Sequence, residues 1–494
     1  MRRISLAILL GSFGLFSGCV VGPKYTPPTA KAPPSFRGQA SGEAGGEANN
    51  ASIADLPWWE VFQDQTLQVL VRTAIANNLD LRIAATRVEQ ARELAAQARS
   101  QYLPSAGYQV GVDGGKNESS GLPAPNGGNT QGTGLAGIQA VWDLDLWGKI
   151  RHMNEAALAG YVASEQGRRG VLLSLVSSVA QGYYELLELD LQLEIAHRTA
   201  DSLKGSLKIF EERLEGGKAS RLETARAQAA LASTAAQIPD LERRIALKEN
   251  ELNLLLGNNP GPIHRDANLA AQSIPPEVPA GLPSTLLERR PDVLQAEQAV
   301  RAANAQIGIA TAAFFPNIGL TAVFGRMSSP LANFTTGSSN IWGPGLNAIG
   351  PLFTGGLLRS KQRQAVAAWE ETTLRYQQTA LGAFRDVSNA LITRQQLEAI
   401  RAEQIQAVKS GREAVEISTQ RYNAGKSSYY EVLTAQQELF PAENALAQTE
   451  FNRRLVIVQL YQALGGGWNL KTPEWAGTPA PGAALPQPPT GPRN

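Results

Sequence analysis

One cysteine and three histidines in 494 residues leave little for metal or disulfide chemistry. Cys19, His152, His197 and His264 are scattered, so no zinc, haem or iron–sulfur ligand set can be assembled from them, and neither a metal nor a cofactor is expected. A lone cysteine also excludes a disulfide framework. Charge of one sign is missing too: 45 Lys+Arg stand against 44 Asp+Glu. That balance gives no basic footprint for nucleic acid. No arrangement of nucleophile, base and acid stands out, so the chain is not expected to be an enzyme. The apolar stretch from Ile4 to Phe16 is too short to span a bilayer as a mature helix.

That stretch is instead a targeting signal. Arg2 and Arg3 provide the positive start, and Phe16-Ser17-Gly18 places small residues before Cys19. The pattern resembles a bacterial lipoprotein signal, residues 1–18, with acyl chains attached to Cys19. Phe16 stands where leucine is usual; the alternative is an ordinary secretory signal. Each buried acyl CH₂ would contribute about 0.8 kcal/mol to anchoring. Val20 follows the cysteine in place of an aspartate, so nothing points to retention at the inner membrane.

The chain also repeats itself. Arg213-Leu-Glu-Gly-Gly-Lys-Ala-Ser220 returns as Arg421-Tyr-Asn-Ala-Gly-Lys-Ser-Ser428, an internal duplication of roughly 208 residues. Gly148 and Arg151 match Gly356 and Arg359 in the same register, and Glu223 matches Glu431. Upstream, Asp80 and Pro104 match Asp292 and Pro316 at a spacing of about 212. The expected organisation is an extended tail over 19–53, repeats over 54–263 and 264–475, and a disordered tail over 476–494.

Within each repeat the apolar period changes. Leu67, Leu70, Val71, Ala74 and Ile75, then Leu81, Ala84 and Val88, predict helix from Leu67 to Leu103. After Pro104 the period becomes two: Tyr108, Val110 and Val112 alternate with Gln109, Gly111 and Asp113. Strands are predicted near 105–113 and 134–143, and again near 317–325 and 341–351. Helices free of proline follow, the first from about Leu146 to Leu214. Some 65 residues would reach about 100 Å. Gly216-Gly217 and Ala424-Gly425 then turn the chain back. The return helices contain Pro239 and Pro441, each predicted to kink its helix.

Four strands cannot close a sheet in lipid, where unpaired edges go unsatisfied. Spanning barrels need at least about eight strands. If these strands lie in a membrane, several chains must join, and three would supply twelve. The alternative is a small soluble sheet capping a helical bundle.

Trp58-Trp59, Phe62-Gln-Asp64, Asn77-Asn-Leu-Asp-Leu81, Leu287-Glu-Arg-Arg-Pro-Asp-Val293, Phe314-Phe315-Pro316 and Leu464-Gly-Gly-Gly-Trp468 occur in this order across nearly the whole mature chain. In this the sequence resembles the outer-membrane channels of tripartite efflux pumps, the TolC/OprM type, most closely their lipoprotein (NodT-like) branch. The resemblance implies an α+β membrane protein. Its homotrimer would form a 12-stranded transmembrane β-barrel continued by a 12-helix periplasmic α-barrel. A mixed α/β equatorial belt would lie near 54–66, 258–283 and 465–475. It implies a passive conduit for small molecules such as drugs, held in outer-membrane lipid, extending into the periplasm, and served by a periplasmic adaptor and an inner-membrane transporter of the RND or a similar type. Type I protein secretion, or a structural lipoprotein spacing the envelope, are the alternatives.

The resemblance also implies sites. The tips Arg213, Gly217 and Lys218, and Arg421, Gly425 and Lys426, would meet the adaptor. Their bland reading is helix capping by glycine and dipole compensation by the cations. Tyr422 and Glu431 match a periplasmic gate, with Thr434 where a second acid is usual. Three Glu431 carboxylates around an axis would favour cations.

Overall fold

The computed structural model describes residues 20–38, 52–116, 130–217, 220–265, 269, 283–328, 331–335, 339–471 and 474–475. The expected signal, Cys19, Lys218 and the C-terminal tail lie outside the described residues. The chain divides into two compact units, one of residues 1–29, 87–165 and 295–377, the other of the remainder.

The first unit holds a single antiparallel sheet: β1 (Ser105–Lys116), β2 (Thr130–Leu144), β3 (Asn317–Ser328) and β4 (Asn340–Ile349), in the order β1-β2-β3-β4. The two predicted hairpins are thus joined, β2 pairing with β3 from Gly134–Ser328 to Leu144–Ile318. Their register places Tyr108, Ile138, Phe324 and Trp342 in one row across all four strands. These side chains are 85, 58, 71 and 77% exposed. Trp142, Leu320 and Leu346 form a second apolar row on that face. The opposite face is the more polar of the two: Gln109, Gln139, Thr321 and Asn347 stand there among many glycines, together with Val141, Val323, Ile341 and Ile349. In the described sheet β1 and β4 pair on one side only. An apolar face this exposed, between two open edges, is not the design of a sheet that ends in water.

The expected N-terminal tail is extended in its described part, yet held in place. Val21 N donates to Trp147 O at 3.2 Å, and His152 Nε2 lies 2.9 Å from Val21 O. Further on, Asn304 Nδ2 donates to Pro23 O at 3.2 Å and the Tyr25 hydroxyl donates to Glu297 Oε1 at 3.2 Å. Glu297, Arg301 and Asn304 share one face of a helix, so the segment runs along it.

The longer helices are α1 (Gln65–Asn77), α2 (Leu79–Ser100), α3 (Lys149–Glu215), α4 (Arg221–Ala235), α5 (Gln237–Leu256), α6 (Pro291–Ala312), α7 (Leu357–Asn423) and α8 (Tyr429–Ala463). Both α3 and α7 contain 67 residues. Each is about 100 Å long at 1.5 Å per residue. Asp145 starts α3 by accepting from Ile150 N at 2.8 Å and Arg151 N at 2.9 Å.

The helix predicted over 67–103 is broken at Asn78. Its side chain accepts from Leu81 N and donates to Leu255 O, both at 2.9 Å, so it caps α2 while tying it to α5. The return helix is interrupted at Ala236, between Ala235 and Gln237, three residues before Pro239, whose ring nitrogen has no N–H to offer the Ala235 carbonyl; the break lies where the proline was expected to disturb the helix. Around Pro441, α8 runs on as one helix.

Several of the residues that carry the family resemblance are tied together in the second unit. Trp58 is fully buried and donates to Trp475 O at 2.9 Å, while the Tyr461 hydroxyl donates to Leu56 O at 3.2 Å. Arg290 holds Asp292 at 2.6 Å, Asp386 at 3.3 Å and the Ala463 carbonyl at 3.1 Å. The segments expected to form a mixed belt contain short helices and turns, with no strand among the described residues.

One buried acid gives a pH prediction. Glu188 on α3 is 2% exposed and accepts from Gln192 Nε2. Burial pushes its carboxyl up to about 7; Arg244 opposes the rise and Glu185 adds to it. An acid raised in the folded state loses stability as pH climbs from the unfolded value, about 4.3, through the folded one. At about 1.4 kcal/mol per unit the loss is on the order of 3 kcal/mol. Glu188→Gln is therefore expected to raise the thermal midpoint at pH 8 and to leave it unchanged at pH 4. A midpoint difference independent of pH would contradict this origin.

Candidate gate and contact tips

Both long helices end in the same way. In α7, Gly425 N donates to Tyr422 O at 3.0 Å and Lys426 N to Arg421 O at 2.9 Å. In α3, Gly217 N donates to Leu214 O at 3.0 Å. Gly217 and Gly425 both have φ of +69°, the left-handed conformation that ends a helix at glycine. A Cβ at either would meet nothing within 4 Å, so the backbone angle alone demands glycine. Arg213 and Arg421 fall in the last turns, where cations complement the helix dipole.

Beyond capping, the tips differ. The Arg213 guanidinium lies 4.6 Å from the centre of the Tyr422 ring, so a cation of the first tip covers the aromatic of the second. Tyr422 is half-buried, 5.8 Å from the Phe210 ring and 5.7 Å from that of Tyr429. Phe210 and Tyr429 are themselves 4.1 Å apart and belong to a small core with Leu203, Ala227, Val432 and Leu433. Burial raises the Tyr422 hydroxyl above its ordinary value; Arg213 opposes the shift and Glu223 reinforces it.

Glu431 does not join Tyr422 in this cluster. Its Oε2 is 4.0 Å from Arg421 Nε, and both side chains are about half exposed. Such a pair is worth little by itself, roughly 0–1 kcal/mol. Glu223, the matching residue of the first copy, has a different task. It accepts from Ser220 N at 2.8 Å while its own N donates to Ser220 Oγ at 3.3 Å, a capping box that starts α4. At the start of α8, Ser428 makes no such side-chain bond, leaving the Glu431 carboxylate uncommitted to capping. Lys426 is exposed.

Sequence reasoning found the tip residues but missed their partners. The Ser220-x-x-Glu223 box was visible in the sequence as a helix-start signature. The Phe210–Tyr422–Tyr429 cluster and the Arg213–Tyr422 stack join segments far apart in the chain, and no local pattern announces them.

The outer membrane efflux protein family model matches residues 70–258 and 282–466. The chain belongs to this family. It is 31% identical over 488 residues to the toluene efflux pump outer membrane protein TtgC of Pseudomonas putida, covering 96% of this chain and 97% of that protein. It is 33% identical over 460 residues to the cation efflux system protein CusC of Escherichia coli, covering 91% and 97%. Among solved structures, the outer-membrane channel OprN superposes with a TM-score of 0.82 at 27% identity, over 92% of this chain and all of that one. This efflux protein is thus an outer-membrane channel component of the TolC/OprM type. Among its described residues no helix is long and apolar enough to cross a membrane.

Proposed function

We propose that three copies of this efflux protein close into one conduit. The observation that carries this reading is the exposed row Tyr108–Ile138–Phe324–Trp342 across a sheet with two open edges. Pairing β4 of one copy with β1 of the next satisfies both edges, turns the apolar face to lipid and encloses the polar face. Three copies give twelve strands, within the range of closed outer-membrane barrels. The two repeats, 54–263 and 264–475, each supply a hairpin and long helices, and twelve helical shafts continue the tunnel into the periplasm. Cys19 carries the acyl anchor.

The conduit passes small molecules that a periplasmic adaptor and an inner-membrane transporter deliver, without catalysing a reaction. The adaptor meets the tips at Arg213, Gly217, Lys218, Arg421, Gly425 and Lys426. Tyr422, held by Arg213, and Glu431, paired with Arg421, form the periplasmic gate.

Planar-bilayer recording of the purified protein tests the reading. Glu431→Ala is expected to raise both conductance and antibiotic uptake by cells, because the Arg421–Glu431 pair that helps to hold the tip is lost. Unchanged conductance and uptake would remove Glu431 from the gate. Silence from wild type and gate variants alike would count against a channel.

A further inference from the structure

The polar face of the sheet carries one notable charge at its foot. Asp143 pairs with Gly319, and Gly319 with Asn347, forming one row across β2, β3 and β4. Asp143 lies between Trp142 and Leu144 of the apolar face, so alternation along the strand assigns it to the other side. Gly319 leaves a notch in this row. A methyl group there would lie 2.6 Å from Asn347 Oδ1 and 3.2 Å from Asp143 Oδ1, so two oxygens converge over the glycine. Asp143 is exposed.

The neighbouring charges do not cancel it by direct pairing. Asp145 is occupied by Arg151, whose Nε donates to it at 3.1 Å. Lys149 lines the same cavity of about 310 Å³ as Asp143. Among the described residues no ion pair within 4.0 Å joins Asp143 to a base. Arg326, near the opposite end of the sheet, lies on the apolar face and donates to the carbonyls of Phe334 and Thr335.

We infer that Asp143, seated with Asn347 over Gly319, sets the charge preference of the conduit at the foot of its barrel, in favour of cationic solutes. The inference rests on the proposed barrel. Closure of three copies brings three Asp143 carboxylates and three Asn347 oxygens around one lumen. Rings of acidic side chains raise the local concentration of cations and exclude anions, more so where low-dielectric walls focus the field. Lys149 counteracts the ring from the first turn of α3. The favoured cargo class is therefore positively charged organic molecules, with simple cations following the same preference.

Reversal potentials across a tenfold KCl gradient test this on the full-length protein, in wild type and in Glu431→Ala, which lacks the acidic residue of the proposed gate. Asp143→Asn keeps the side-chain shape and is expected to lower the K⁺/Cl⁻ permeability ratio at least threefold in both backgrounds. Lys149→Gln is expected to raise the ratio, and tetraethylammonium permeability should fall with Asp143→Asn in parallel. A ratio unchanged by Asp143→Asn in a conducting channel would overturn the inference while leaving the barrel intact. Absence of conductance in every variant would remove the barrel reading, and this one with it.

Discussion

Phe324→Arg is expected to abolish assembly of this efflux protein in the outer membrane. Phe324 is 71% exposed in the middle of the four-strand row, with Ile138 on one side and Trp342 on the other. An arginine on the lipid face of a barrel costs about 2–4 kcal/mol near the bilayer midplane. That alone is roughly a thirtyfold to thousandfold shift against insertion for each chain, and the proposed assembly carries the substitution three times. Gln139→Arg is the control. Gln139 follows Ile138 on the same strand and points to the other face, where a charge would meet water in the proposed lumen. Outer-membrane fractions should contain heat-stable oligomer for Gln139→Arg and almost none for Phe324→Arg. Similar losses from the two would mean that neither face is in lipid.

Phe210→Ala should open the tip more than any loss of surface charge. The ring is 1% exposed and touches both Tyr422 and Tyr429, so it links α3 to α7 and α8. Truncating a buried phenylalanine costs about 3–5 kcal/mol, whereas a partly exposed cation–π contact such as Arg213 over Tyr422 contributes about 0.5–1 kcal/mol. Phe210→Ala should therefore raise conductance and the entry of large antibiotics well beyond the effect of Arg213→Ala. Equal effects would place the restraint in the exposed charges, and no effect of either would separate this aromatic core from gating.

Much of this arrangement was legible in the sequence because its periods are regular. Tyr108, Val110 and Val112 alternate cleanly, and β1 forms there. The long helices follow from uninterrupted three- and four-residue spacing, and Gly217 and Gly425 end them as glycine at such positions should. What escaped depended on distant partners. The break at Asn78 exists because its amide finds Leu255 O, 177 residues away. Joining of the two hairpins depends on β2 meeting β3 from the far side of α3 to α6 in the chain, which strand periodicity does not encode. Of the two prolines read as kinks, Pro239 does follow a break in its helix, whereas α8 runs on around Pro441. At the tips, matching Glu223 to Glu431 by the repeat does not distinguish their tasks. The same position in two repeats does two jobs because only one copy spends its carboxylate on Ser220.

In the proposed trimer β1 and β4 are open only within one chain and pair between copies. Disulfide cross-linking across that edge tests it most directly. One cysteine replaces a residue on β1 near Tyr108, and a second is scanned along β4 from Trp342 to Leu346. A matched pair in a closed ring of three is expected to yield a covalent trimer, with no species beyond three chains. An unlimited ladder of higher oligomers, or monomer at every β4 position, would contradict it.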